Sequence, residues 1–507
     1  MTPSDALMSP SEAERNLRSA IAFHQRGDLA NAEALYRKIL SFYPENSDAL
    51  HLLGVLATQC GQHSDAITLI DRAIALNPQQ AIYFSNRGNS LLELKRFEEA
   101  LTSYERAVTL KPDYAEAYFN RGNSLLELKR FEEALASYER AVALKPDYAE
   151  AYSNRGNALL ELGRAEEALL SYERAVALKP DYAEAHASKS LCLLLLGDYP
   201  RGWPLYEWRW KNKEFSSPSR DFVQPIWLGA DDIAGKTVFL HSEQGLGDTI
   251  QFVRYVRSVK ELGARVILEV PRSLIPLMRS VEGVDDLFEI GQPLPSFDFH
   301  CPLLSLPLAF KTDISSTPIQ VPYLSVSEER RNRWRQFIGK EGFKIAICWQ
   351  GNPQSKADTG RSFPVSQFEG ISKIVGVRLI SLQKNQGIDQ LKSLPDGMRV
   401  EMLPEGFDEG EEAFLDSAAV MECVDLVITS DTALTHLAGA LGVKTWLPLK
   451  YVPDWRWMLD RDDSPWYPNH RLFRQPQRGD WLTVFQEMEW QLRREIGSRK
   501  DPSPIHP

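Results

Sequence analysis

Cysteine is scarce and unpatterned in this chain, with five in 507 residues: Cys60, Cys192, Cys301, Cys348 and Cys423. Their odd number, wide scatter and mostly apolar surroundings give neither a disulfide framework nor zinc-ligand spacing. They fit buried thiols in a reducing cytoplasm. No run of 18 apolar residues occurs, and the opening M-T-P-S-D-A-L-M-S-P has no charged region followed by an apolar stretch. No membrane insertion or export is therefore expected, and the expected location is cytoplasmic. There is no block of Lys and Arg either; 58 basic against 69 acidic residues give a formal charge of −11, spread along the chain. That argues against nucleic acid or an acidic membrane surface as the principal partner. The dinucleotide fingerprint G-x-G-x-x-G is missing, which disfavours a nicotinamide enzyme. No D-x-D pair stands in a strand-end loop, so no divalent cation is expected in the chemistry, and no cofactor is expected either.

What is abundant is repetition. Pro44, Pro78, Pro112, Pro146 and Pro180 stand 34 residues apart, and Pro10 extends the series one period back. Arg87 to Leu101 reads R-G-N-S-L-L-E-L-K-R-F-E-E-A-L, and Arg121 to Leu135 repeats it. A period of 34 predicts a helix–turn–helix solenoid. Gly54, Gly88, Gly122 and Gly156 recur on the first helix of each unit, and Ala32, Ala66, Ala100, Ala134 and Ala168 on the second. These small residues let two helices approach. Tyr36, Tyr104, Tyr138, Tyr172 and Tyr206 follow four residues after the small position, about one helical turn on, and fill the space left. Each unit closes in a proline that cannot continue a helix. The pattern resembles the tetratricopeptide repeat, in six units over residues 11–214 after a short tail (1–10). The sixth departs from it: Gly202 replaces the alanine, and the unit ends W-P-L-Y-E-W-R-W. Those aromatics predict a packed junction with the C-terminal part of the chain.

Residues 215–235 change composition and break the helical pattern, so the linker is placed there. After it, apolar strands alternate with helices in two series. The first has strands at 237–241, 266–270, 286–290 and 297–303, with helices at 248–262 and 274–281. The second has strands at 344–349, 378–382, 399–403, 425–430 and 444–449, with a C-terminal helix over 480–496. Strand–helix alternation predicts parallel sheets, here two Rossmann-like lobes (236–325 and 326–496) facing a cleft, followed by a tail (497–507).

Three strand-end loops carry the candidate chemistry. In E-Q-G-L-G-D-T-I-Q-F, Gly245 and Gly247 let backbone pass close to a ligand, and Asp248 opens the next helix facing the cleft. Asp248 reads equally as a helix N-cap. W-Q-G-N-P-Q-S-K-A-D-T-G-R-S-F-P (349–364) is long and polar; its Lys356 and Arg361 can meet a diphosphate or stand as solvated surface charges. In I-T-S-D-T-A-L-T-H-L-A-G-A-L-G (428–442), Ser430, Asp431 and Thr432 stand at a helix start, where free N–H groups and the helix dipole favour an anion. Asp431 would repel a phosphate, so it is assigned to capping or to a sugar hydroxyl. Thr432, its neighbouring N–H groups and His436, one turn on, are left for the phosphate.

In this order, with S-L-Q-K at Ser381 to Lys384 between the second and third, these motifs resemble the heptosyltransferase-type glycosyltransferases of the GT-B fold. Fused to tetratricopeptide repeats, the chain is also similar to the O-linked N-acetylglucosamine transferases and to repeat-bearing flagellin glycosyltransferases. The resemblance covers roughly residues 235–496. It implies an α-solenoid followed by an α/β GT-B enzyme that binds a nucleotide-sugar without a metal. Asp248 is then the general base, and Gly245, Gly247, Asn352, Arg361, Gln383, Lys384, Ser430, Asp431, Thr432 and His436 form the donor site. Two departures stand out: the N-terminal lobe is short, and Arg361 replaces the usual lysine.

Asn86, Asn120 and Asn154 each lie eight residues after a repeat's proline, on the first helix of the unit. They read either as solvated residues multiplied by duplication or as a row of amides gripping an extended peptide, similar to the asparagine ladder of the O-linked transferases. Leu52 and Ser188 end the row after three rungs. The leading expectation is a glycosyltransferase acting on a protein acceptor held by the repeats. The alternatives are a lipopolysaccharide- or glycan-building enzyme with a repeat scaffold, and a non-catalytic repeat adaptor.

Overall fold

The computed structural model describes residues 8–212, 215, 217, 220–355 and 358–500. Lys356, the start of the expected N-terminal tail, part of the expected linker and residues 501–507 lie outside the described residues. The chain divides into two compact units, Met1–Ala185 and His186–Pro507.

The first unit consists of antiparallel helix pairs repeating with the 34-residue period. In the central pairs, Ala81–Glu93 packs on Phe97–Leu110, Ala115–Glu127 on Phe131–Leu144, and Ala149–Glu161 on Ala165–Leu178. The small residues do what their spacing predicts. A Cβ on Gly88, Gly122 or Gly156 would stand 2.6, 2.6 and 2.5 Å from the ring of Tyr104, Tyr138 or Tyr172. Ala100, Ala134 and Ala168 and those three tyrosines are fully buried. The ring therefore fills the space that the missing side chain leaves.

The second unit contains the sixth helix pair (Ala183–Leu195, less its first three residues, and Tyr199–Tyr206) and two parallel sheets. One sheet holds β1 (Thr237–His241), β2 (Arg265–Val270), β3 (Asp286–Glu289) and β4 (Phe299–Pro302), in the order β3-β2-β1-β4. The other holds β5 (Phe343–Cys348), β6 (Val377–Ser381), β7 (Leu426–Thr429), β8 (Thr445–Leu449) and β9 (His470–Arg474), in the order β6-β5-β7-β8-β9. The C-terminal helix Trp481–Lys500 lays Trp481, Phe485 and Met488 on the core of the second sheet with Trp349, Phe363 and Phe473.

Three local expectations change. Residues 399–403 form only an isolated bridge, Ile380 to Glu401, in place of a strand. The helix expected over 248–262 is two short helices, Leu246–Phe252 and Val256–Glu261, joined by a tight turn. Strand β9 lacks a sequence counterpart. The expected packed junction does form: Tyr199 and Trp203 of the sixth pair pack edge to face on Trp455, and Trp203 Nε1 donates to the Thr312 carbonyl at 2.9 Å.

Candidate functional site

The carboxyl ends of β1, β5 and β7 carry the three loops, and the structure brings them together. After β1, buried Glu243 accepts from Arg209 Nη2 at 2.8 Å, while Gln244 takes a left-handed φ of 58°. Gly245 caps the helix Leu246–Phe252, and Asp248 is its third residue, not its cap. The Asp248 carboxylate reaches back from the third helical position: Oδ2 accepts the Gly245 N–H at 2.8 Å, half of a capping box in place of the expected N-cap. Its other oxygen, Oδ1, accepts from Arg456 Nη2. Burial raises the carboxyl's pKa, and Arg456 and the Gly245 N–H oppose that rise. Gly247 is required by close approach: a Cβ there would stand 2.7 Å from His436 Cδ2 and 3.4 Å from Ala433 Cα. The Asp248 helix thus packs directly on the helix Ala433–Ala440, which follows β7.

At the second loop, Gln383 is a clip. Its Oε1 accepts the Trp349 and Gln350 N–H groups at 3.0 Å each, and its Nε2 donates to the Gln350 and Gln386 carbonyls. Asn352 accepts the Gln354 N–H at 3.1 Å, closing a local turn. Arg361 pairs with Asp358 at 3.2 Å. A Cβ on Gly351 would lie 3.2 Å from Arg361 Nη2 and 3.3 Å from Thr432 Cγ2, so Arg361 and Thr432 flank one backbone position. Lys384 turns elsewhere, donating to the carbonyls of Phe407 and Asp408. Asn352, Gln383 and Lys384 therefore shape loops in this structure, while Arg361 reaches the meeting point.

At the third loop, Thr432 occupies the cap position of the helix Ala433–Ala440, yet its hydroxyl does not cap it. Both Thr432 Oγ1 and the fully buried Ser430 Oγ make no well-formed hydrogen bond among the described residues, although Ser430 lies near enough to the Cys348 thiol to oppose the rise of its pKa. Asp431, beside them, has its pKa pushed up to about 6, chiefly by burial and then by the neighbouring Asp454 carboxylate. The Trp457 indole N–H lies near enough to Asp431 to oppose that rise but makes no well-formed hydrogen bond, and nor does it find another partner among the described residues. His436 lies against Gly247 of the first loop. It is buried, its Nδ1 hydrogen-bonds the Tyr467 hydroxyl at 2.9 Å, and burial followed by Arg456 holds its pKa well below 6.5. A neutral imidazole at neutral pH supplies no cation to a phosphate.

The residue that sequence reasoning missed is Arg456. Buried in V-P-D-W-R-W after β8, it donates through Nε to Gln251 Oε1, through Nη1 to Asp454 Oδ1 at 2.9 Å and through Nη2 to Asp248, with Trp455 over its guanidinium at 4.4 Å. A charged group between two tryptophans just past a strand end was the available signal. Among the described residues, no three His, Cys, Asp or Glu side chains are grouped to hold a metal ion. No helix among them is long and apolar enough to cross a membrane.

In the first unit the asparagine row is partly spent on the solenoid itself. Asn120 Nδ2 donates to Asn89 Oδ1, and Asn154 Nδ2 to Asn123 Oδ1, each at 2.9 Å across the repeat boundary. The same acceptors take the hydroxyls of Tyr104 at 2.7 Å and Tyr138 at 2.9 Å. Asn86 bonds His51 Nε2 at 2.8 Å, so the row is anchored one repeat further back by a histidine.

Models of the tetratricopeptide repeat match residues 23–85, 85–149 and 149–182. Residues 23–182 are tetratricopeptide repeats. Protein FlbA of Caulobacter vibrioides is similar to the chain, at 27% identity over 308 residues, or 56% of this chain and 51% of FlbA. The match thus spans about half the length of that relative. Three solved structures are similar to part of the chain. PilF of Pseudomonas aeruginosa is 21% identical, with 38% of this chain and 88% of PilF covered and a TM-score of 0.36. YrrB, described as a repeat protein with an unusual peptide-binding site, is 24% identical, with 35% and 92% covered and a TM-score of 0.32. MamA is 24% identical, with 34% and 94% covered and a TM-score of 0.31. The tetratricopeptide repeats suit the chain to binding protein.

Proposed function

We propose that the second unit is a glycosyltransferase of GT-B type that moves a sugar from a nucleotide-sugar to a protein hydroxyl, with the acceptor or a partner held by the repeats. The observation that carries this is the meeting of Asp248, Arg361, Thr432 and Arg456 at the carboxyl ends of two parallel sheets, beside a helix start whose hydroxyls make no well-formed hydrogen bond among the described residues. Ligands of parallel sheets are taken at those ends. In the reaction, the acceptor oxygen attacks the anomeric carbon, the bond from that carbon to the diphosphate oxygen breaks, and Asp248 takes the hydroxyl proton. The N–H groups at the Ala433–Ala440 helix start, with Arg361 and Arg456, stabilise the departing diphosphate.

A panel of nucleotide-sugars screened by thermal shift tests the donor. A ligand at one hundred times its Kd stabilises the fold by about 2.7 kcal/mol. Transfer to a protein acceptor is then followed with the bound donor, and Asp248→Asn is expected to keep the fold and lower turnover by about two to four orders of magnitude. The match to tetratricopeptide repeats alone favours a second reading, a non-catalytic adaptor. Absence of any nucleotide-sugar shift would select it.

A further inference from the structure

Near the Arg456 guanidinium, several buried donors make no well-formed hydrogen bond among the described residues. Gln251, fully buried, gives its oxygen to Arg456 and leaves Nε2 without a partner among the described residues. Trp457 Nε1, Ser430 Oγ and Thr432 Oγ1 are likewise buried and make no well-formed hydrogen bond among the described residues, although Trp457 lies near Asp431 and Ser430 near the Cys348 thiol. All four atoms can donate, and each buried donor left unmade costs free energy that an oxyanion would recover. Arg456 itself is held on three sides, by Asp454 of its own loop and by Gln251 and Asp248, which both reach it from the helix Leu246–Phe252 of the opposite lobe. The same carboxylate oxygen that would take a proton from an acceptor hydroxyl is therefore already engaged by a cation.

We propose that Arg456 couples donor binding to release of the base: the diphosphate oxyanion competes with Asp248 Oδ1 for Arg456 Nη2, and its arrival leaves Oδ1 open to the acceptor hydroxyl. This rests on the reading of the site as a diphosphate site. Gln251 Nε2 and Trp457 Nε1 complete the anion's hydrogen bonds. Arg456 stays tied to Asp454 and Gln251, so the exchange needs no large movement of the arginine, only a change of one partner.

Calorimetry with inorganic pyrophosphate on the full chain tests the coupling through a double-mutant cycle. Arg456→Gln is expected to weaken binding about ten- to hundredfold, the range for a lost hydrogen bond to a charged group. Asp248→Asn, which removes the competitor, is expected to strengthen binding several-fold. In the Arg456→Gln background the gain from Asp248→Asn should vanish. An equal gain in both backgrounds would mean that Asp248 acts by simple charge repulsion and overturns the proposal, as would unaltered affinity in Arg456→Gln. If Arg456→Gln does not fold, Arg456→Lys closes the same cycle with a geometry that cannot bridge three partners. A wild-type protein that binds no pyrophosphate removes the diphosphate reading itself, whereas binding without coupling removes this inference alone.

Discussion

Asp431 shows most directly how the site holds strain in its charges. Its folded pKa of about 6 lies above the ordinary 3.8, because burial and Asp454 disfavour the carboxylate. Between those values the folded state holds a proton that the unfolded chain has released, so stability falls as pH rises through the window, and the full cost is present above it. Asp431→Asn keeps the shape and removes the charge. It is expected to melt a few degrees above the wild type at pH 8, with the difference shrinking towards pH 4, and a scan of melting temperature against pH checks it. A variant less stable than wild type at pH 8 would make the carboxylate structural. Part of this was legible in the sequence: a short acidic residue between two hydroxyls at a strand-to-helix step marks a helix start. What could not be read is Arg456, whose contact with Asp248 spans 208 residues and depends on how two lobes face each other. The burial that keeps His436 neutral was hidden for a related reason, since sequence gives its place on the helix but not its surroundings.

At the scale of the element, the turn inside each repeat is informative. Gly27, Gly61, Gly163 and Gly197 end the first helices of their pairs at φ of 75° to 82°, 34 residues apart where consecutive. Lys95 and Lys129 occupy the same place in the two intervening repeats, at φ of 58° and 60°. A side chain in the left-handed region costs roughly 1–2 kcal/mol, offset in part because glycine loosens the unfolded chain. Lys95→Gly and Lys129→Gly are each expected to raise stability by about 0.5–1 kcal/mol, measured by urea unfolding of the full chain. Loss of stability in both would show that the lysines make contacts that outweigh the strain. Strands were legible to the same degree as their apolar runs. T-V-F-L-H and R-V-I-L-E-V announce β1 and β2, whereas H-R-L-F-R of β9 has only two apolar residues between basic ones and gave no signal. R-V-E-M-L at 399–403 looks like a strand but lies beside β6 at the sheet's edge, where one bridge and the Arg378–Glu401 ion pair suffice.

At the scale of the whole molecule, repeat periodicity and compactness divide the chain differently. The sequence period runs through the sixth pair, but that pair's aromatic side chains belong to the α/β unit: Trp203 packs on Trp455 and Trp466, Tyr199 accepts from Trp466 Nε1 at 3.1 Å, and Arg209 pairs with Glu243 beside the Asp248 loop. Trp203→Ala is expected to destabilise the second unit by about 3–5 kcal/mol, the cost of emptying a buried tryptophan site. A chain beginning at His186 should fold, whereas one beginning at 213 should fail to show cooperative melting. Equal melting of the two would mean that the aromatic cluster is dispensable. The remaining repeats differ in kind. Because Asn154 meets Asn123 as Asn120 meets Asn89, and Arg155 reaches Ser171 as Arg121 reaches Ser137, neighbouring interfaces are interchangeable. A gene that loses or gains one such block of codons would still encode matched surfaces on either side of the splice, so the number of repeats is free to drift while the α/β half of the chain is not.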